Sequence, residues 1–223
     1  MSAQPVEFIT LPYHAPSEQE ALKRARRFRE EMDRRRSVRH FSNRPVPRET
    51  IGELIRAASS APSGAHKQPW SFIAVSDLAL KSQIRQAAEA EEKQNYESRM
   101  PEEWLQALEP FATDWHKPFL EVAPWLVVLF QQTVERLPGG ETRKNYYVVE
   151  SVGIAVGMFL AAVHQAGLVA LTHTPSPMKF LSEILGRPDN ERPFLLMPVG
   201  YPVVDCQVPD LRRKSLQEVA TFL

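Results

Sequence analysis

Six consecutive apolar residues, Trp125-Leu126-Val127-Val128-Leu129-Phe130, stand between Pro124 and Gln131. A run of that length with no polar alternation has no face to give to water, so it predicts a central strand. Phe194 to Val199 predicts another buried strand, and Trp70 to Val75 and Leu168 to Thr172 predict two more. Elsewhere apolar residues recur at helical spacing: Leu22, Ala25, Phe28 and Met32, then Ile51, Leu54, Ile55 and Ala58, then Leu80, Ile84 and Ala87. Strands and amphipathic helices therefore share one chain.

Local signals set their limits. Pro5, Pro12 and Pro16 mark residues 1–16 as an extended arm, and Ser17 with Glu20 forms the capping-box pattern that opens a helix running to about Arg35. Asn43 to Pro47 breaks the chain before a second helix from about Arg48. Asp77 is the expected cap of a helix that continues into Glu89 to Tyr96, a segment too polar for a core face and expected to act as a lid. From Arg99 to Pro124, Pro101, Pro110 and Pro118 allow only a short helix around Trp104 to Leu108, in a segment expected to be mobile. Glu135 to Lys144, with Pro138-Gly139-Gly140, reads as a surface loop, followed by a long helix from about Asn145 to Gln165. Gly153 and Gly157 lie one turn apart on that helix, suited to close packing against a partner subunit's helix or to ordinary core packing. Gly167 ends it, and a short helix passes through Phe180, Leu181 and Leu185.

At 223 residues and 43% hydrophobic composition the chain can bury one substantial core. Lys plus Arg and Asp plus Glu number 27 each, so no net positive field draws the protein to nucleic acid or an anionic membrane. A single cysteine, Cys206, excludes an intramolecular disulfide framework and suits a reducing cytoplasm. The N-terminus lacks the pattern of a secretory signal, and the apolar stretch Val152 to Val163 is short for a bilayer span. The histidines, His14, His40, His66, His116, His164 and His173, show no metal-ligand spacing. No Gly-x-Gly-x-x-Gly, Walker loop or Gly-x-Ser-x-Gly elbow is present.

Arg34-Arg35-Arg36-Ser37-Val38-Arg39 gathers four guanidiniums and a hydroxyl, a donor set suited to a phosphate dianion. The same run also reads as the basic last turn of a helix or a solvated charge cluster. Ala61-Pro62-Ser63-Gly64-Ala65-His66-Lys67-Gln68-Pro69-Trp70 is a loop able to expose backbone N–H groups, His173-Thr174-Pro175 follows a strand, and Asp210-Leu211-Arg212-Arg213-Lys214 is a second basic knot.

In combination, Arg-Arg-Ser-Val-Arg at 35–39 and Ala-Pro-Ser-Gly-Ala-His-x-x-Pro-Trp at 61–70 resemble the nitroreductase superfamily of flavoproteins, and within it the halotyrosine dehalogenase branch. The likeness runs from about Glu18 to the C-terminus. It passes through Glu-Glu-x-x-Asn-Tyr at 91–96, Trp-x-Lys at 115–117, Thr-x-Thr-Pro at 172–175, Pro-Val-Gly-Tyr-Pro at 198–202 and Pro-Asp-Leu-x-Arg-Lys at 209–214. It implies an α+β nitroreductase-like fold, a central mixed β-sheet flanked by helices, in an intertwined homodimer with FMN at the interface. Residues 17–223 would form one FMN-binding domain, with an extension from about residue 201 reaching the partner subunit. No membrane anchor precedes Ser17, unlike the mammalian pattern, so a soluble form is expected.

The resemblance also implies residue roles. Arg35, Arg36, Ser37, Arg39 and Arg213 match the phosphate-binding positions, and Ser63, Gly64 and Thr172 match flavin contacts. Thr174, whose hydroxyl would lie near flavin N5, is the expected catalytic residue. The Ala65 N–H matches the donor to a substrate phenolate. Glu92 would take the substrate ammonium, and Tyr96 and Lys117 its carboxylate, beneath a closing lid. On residue type alone, Glu92 and Lys117 are solvated charges and Tyr96 a surface aromatic. The expected reaction is reductive dehalogenation of halotyrosines, with NAD(P)H or a reductase as electron source. A general nitro- or quinone-reductase and a non-catalytic FMN or halotyrosine sensor are the alternatives, with nucleic-acid binding by the arginines more distant.

Overall fold

A computed structural model describes residues 7–223, so the first six residues of the expected arm lie outside the description. The chain forms two compact units, Met1–Arg35 and Arg36–Leu223. In the first, residues 7–16 are irregular and exposed, and helix α1 (Glu18–Arg34) follows. Ser17 Oγ accepts the Glu20 N–H at 3.2 Å, as the capping pattern predicts. The Glu20 carboxylate turns instead to Arg24 at 2.8 Å, so the cap is one-sided. No residue of α1 is buried, although Leu22, Ala25 and Phe28 recur on it at helical spacing.

The second unit contains α2 (Arg48–Ser59), β1 (Trp70–Val75), α3 (Leu78–Gln94), α4 (Glu102–Leu108), α5 (Phe119–Val122), β2 (Trp125–Gln132), β3 (Val134–Arg136), β4 (Thr142–Lys144), α6 (Val148–Gln165), β5 (Val169–Ala170), α7 (Lys179–Ile184), β6 (Glu191–Gly200) and α8 (Leu216–Val219). The main sheet has the order β1-β2-β6-β5, antiparallel throughout. A parallel bridge from Ser37 to Ala170 gives it the expected mixed character.

β2 explains its own composition. Val127 and Leu129 face a core with Ile51, Leu54 and Ala58 of α2 and Val152, Ala155, Val156 and Phe159 of α6. Leu126, Val128 and Phe130 point the other way, into a core with Ile84 and Ala88 of α3, Leu120 of α5 and Leu181 of α7. Alternate residues thus enter two separate cores, and a strand covered on both faces tolerates no polar position. The Trp125 indole N–H, the one polar group on the run's side chains, donates to the Val46 carbonyl at 2.8 Å.

α6 is long and apolar enough to cross a membrane on length and composition, but its inner face lines a core of this unit. Its outer face carries exposed Val149 and Ile154, with Tyr146 and Tyr147 exposed just before it. A methyl group built on Gly153 or Gly157 would meet nothing within 4 Å. Tyr147, at φ 49°, delays the start of the helix past Asn145.

Two expectations are corrected. Residues 134–144 form a hairpin of two short strands rather than a plain loop; Glu135, Arg143 and Lys144 carry no apolar alternation by which those strands could be recognised. The polar stretch after Ala88 is not wholly solvent-facing: Glu92 and Asn95 are each only 7% exposed.

Candidate active site

The basic run is held in place by its apolar neighbours. Val38 and Phe41 are buried; the Val38 N–H donates to the Ala170 carbonyl at 3.2 Å, and Phe41 bridges to Pro202. Arg36, Ser37 and Arg39 are therefore carried on a backbone fixed along the sheet margin. Arg36 donates to the Pro209 carbonyl, which draws the C-terminal tail toward the run. The Arg39 guanidinium lies 5.7 Å from the centroid of the Phe111 ring; burial pulls its pKa below the usual range, and the neighbouring Tyr96 opposes this. Ser37 and Arg39 line a cleft of about 550 Å³ together with Phe111, Thr113, Phe119 and Pro209, within the range of small-molecule sites. Arg35 ends the first unit as the cap of α1, its N–H on the Met32 carbonyl, and Arg213 lies on the exposed tail.

Glu92, Tyr96 and Lys117 are brought together. Lys117 Nζ is 3.2 Å from Glu92 Oε2, and both side chains are almost fully buried. Lys117 also donates to the Asp114 carbonyl, and its Nζ lies 5.4 Å over the Tyr96 ring. The Tyr96 hydroxyl donates to the Thr113 carbonyl at 3.3 Å. Burial holds the Tyr96 pKa above its usual value, and the Glu92 charge adds to this, so the phenol remains a donor at neutral pH. Asn95, just beyond Glu92, is also buried, its side-chain amide donating to the Ser176 carbonyl at 2.8 Å. Its place three residues after Glu92 was the available sign of a second buried position on that helical stripe.

Ser63, Gly64 and Ala65 are not among the residues lining this cleft. Their loop is fastened to the start of α6: the Gly64 N–H donates to Ser151 Oγ at 3.3 Å, and that hydroxyl donates to the Tyr147 carbonyl at 2.6 Å. A Cβ on Gly64 would sit 2.8 Å from Tyr147 and 2.9 Å from the Tyr146 carbonyl, which explains the glycine. Ala65, His66 and Gln68 all have positive φ. Such backbone is costly for side-chain-bearing residues and is concentrated at functional loops. Lys67 pairs with Glu135 at 2.8 Å, and His66 Nε2 lies 3.2 Å from the Gln68 side-chain nitrogen, so both are engaged in holding the loop.

Thr172 and Thr174 are exposed, alternating with buried Leu171, His173 and Pro175. His173 turns inward against Phe119, edge to face, with ring centroids 5.6 Å apart. Its Nε2 is buried without a hydrogen-bond partner. Burial, followed by the positive charges of Lys117 and Arg39, holds its pKa down to about 3. The unfolded chain, near the ordinary 6.5, takes up this proton first as the pH falls. Stability is therefore full above about pH 6.5 and declines toward pH 3, by about 2 kcal/mol at pH 5. A His173→Gln variant should show a smaller drop in melting temperature between pH 7 and pH 5, by roughly 4–8 °C, in thermal melts followed by circular dichroism.

A sequence model of the nitroreductase family matches residues 32–201. The chain belongs to the nitroreductase family. Nitroreductase-family relatives include an iodotyrosine deiodinase of Haliscomenobacter hydrossis, 62% identical over 197 residues that cover 88% of this chain and 89% of the relative. An iodotyrosine deiodinase of Daphnia pulex is 45% identical over 212 residues, covering 95% of this chain and 71% of that one. Among solved structures, oxidized iodotyrosine deiodinase bound to FMN and 3-iodo-L-tyrosine superimposes with a TM-score of 0.74 at 32% identity, over 87% of this chain and all of the other. The nitroreductase fold expected from the motifs is thus the fold observed.

Proposed function

We propose that this nitroreductase-family chain is an FMN-dependent dehalogenase that converts mono- and diiodotyrosine to tyrosine and iodide. The observation that carries this reading is the buried Glu92–Lys117 pair beside Tyr96. An amino-acid zwitterion presents an ammonium beside a carboxylate, each the counter-charge of one member of this pair. It can exchange the internal ion pair for two new ones, Glu92 to the ammonium and Lys117 with the Tyr96 phenol to the carboxylate. A flat substrate without an amino-acid group could not make that exchange.

The chain's donor set fits FMN. Arg36, Ser37, Arg39 and Arg213 would hold its phosphate, and the exposed hydroxyls of Thr172 and Thr174, with Ser63 and Gly64, its ring system. When reduced, FMN supplies the electron pair that, with one proton, replaces the carbon–iodine bond by carbon–hydrogen and releases iodide. The Ala65 N–H, on left-handed backbone, would stabilise the substrate phenolate. Thr174 would hold a proton at its hydroxyl near flavin N5.

The reading includes a homodimer and an electron supply from NAD(P)H or a reductase. Supporting the dimer are the apolar outer face of α6 and the fastening of the loop carrying Ser63 to Ala65 to the start of that helix. The partner's copy of that loop, and its C-terminal extension from about residue 201, would complete the site. Anaerobic mixing of the reduced holoprotein with diiodotyrosine should reoxidise the flavin and release tyrosine. Absence of flavin oxidation overturns the proposal, and equal turnover of iodotyrosine and iodophenol would replace it with a general reductase.

A further inference from the structure

Lys117 lies in irregular chain between α4 and α5; its carbonyl accepts the Leu120 N–H at 3.0 Å, but among the described residues no backbone group takes its own N–H. A stripe of charged residues on α3 does so instead. Glu89 Oε1 accepts the backbone N–H of Lys117 at 2.6 Å and the Arg85 Nε–H at 2.8 Å. Arg85 reaches on to Glu121 at 3.0 Å. Lys81, only 2% exposed, donates to the carbonyls of Glu121 and Ala123, both at 2.8 Å, at the end of α5. Lys81, Arg85 and Glu89 are spaced four apart, with Glu92 three further, so they share one face of the helix. The stripe thus grips the segment after Lys117 at one end and presents Glu92 to the Lys117 side chain at the other.

We propose that Glu89 is a positioning residue for recognition of the substrate's amino-acid group, setting the Lys117 backbone so that its ammonium stays at working distance from Glu92. The proposal rests on the reading of Glu92 and Lys117 as the zwitterion clamp. Glu89 is only 16% exposed through its side chain, and its carboxylate is committed to Arg85 and to the Lys117 amide rather than to the clamp atoms. Arg85 and Lys81 can hold α5 through Glu121 and Ala123 without Glu89, but the Lys117 amide then loses its charged acceptor. Displacing a buried binding group by about an ångström weakens the contacts it makes while leaving distant ones alone. The expected defect is therefore selective for zwitterionic ligands.

The test uses the FMN-loaded protein and compares 3-iodotyrosine with 2-iodophenol, which shares the ring and lacks the amino-acid group. Dissociation constants come from quenching of flavin fluorescence, and KM and kcat from turnover of 3-iodotyrosine. Glu89→Ala should raise Kd and KM for 3-iodotyrosine about 30-fold, the effect of losing one charge-assisted hydrogen bond, with kcat at saturation and the Kd for 2-iodophenol unchanged. Glu89→Gln keeps an acceptor oxygen for the Lys117 amide and should restore most of the affinity. Equal losses for both ligands, or Glu89→Gln as poor as Glu89→Ala, overturn the proposal in favour of general structural support. Glu92→Gln in the same titrations separates the two layers of the argument. If it weakens 3-iodotyrosine and Glu89→Ala does not, only the positioning role fails. If it leaves 3-iodotyrosine binding unchanged, the clamp fails and the proposal falls with it.

Discussion

With Arg36 and Arg39 both replaced by alanine, the protein should purify without its FMN while keeping its fold. Each guanidinium offers a charge-assisted hydrogen bond to a phosphate oxygen, worth about 1.5–3 kcal/mol. Together they account for a loss of about 10²–10⁴ in flavin affinity. The fold survives because the run is held by Val38 and Phe41 and by the Val38 bond to Ala170, none of which the variant touches. The contacts that disappear are the Arg36 bond to the Pro209 carbonyl and the Arg39 contact with Phe111. The flavin-to-protein absorbance ratio reads the first effect and far-ultraviolet circular dichroism the second. Full flavin retention would return the run to an ordinary charged surface.

The second large effect is expected at Glu92. Glu92→Gln keeps shape and removes one charge of a pair that is nearly dry. Truncating one partner of a buried charge pair at a binding site costs about 2–5 kcal/mol, so affinity for diiodotyrosine should fall about 30-fold or more. Lys117 retains the Asp114 carbonyl and Thr113 Oγ1, so its ammonium is not stranded and the protein should remain folded. Iodophenol binding, which needs no ammonium partner, should change little. Titration of flavin fluorescence with both ligands checks the contrast.

The parts of the fold most legible in the sequence were those whose burial is written in consecutive residues. Trp125 to Phe130 had to be covered on both faces, and Asp77 announced the start of α3, its side chain accepting the Leu80 N–H at 2.8 Å. What could not be read locally was what distant chain supplies. Glu92 and Asn95 look like solvent-facing polar residues because the groups that satisfy them, Lys117 and the Ser176 carbonyl, lie far along the chain. The strands β3 and β4 escaped because exposed edges of a small hairpin impose no apolar period. Glu20 completed a capping-box pattern in sequence, yet its carboxylate pairs with Arg24 one turn on. Of the proposed site, the zwitterion trio was identifiable only through resemblance, since residue type alone marked it as surface. Its convergence in space is what the fold contributes.

The fastening of Gly64 to Ser151 on α6 ties the loop proposed to contact the flavin to the helix whose outer face is uncovered. In the proposed dimer, association and cofactor binding then draw on the same surface and are thermodynamically linked. Whatever free energy the flavin gains from a second subunit, the subunits gain from the flavin in equal measure. Apparent FMN affinity would therefore not be a constant of the chain but would rise with its concentration. Dilution alone would bleach the protein.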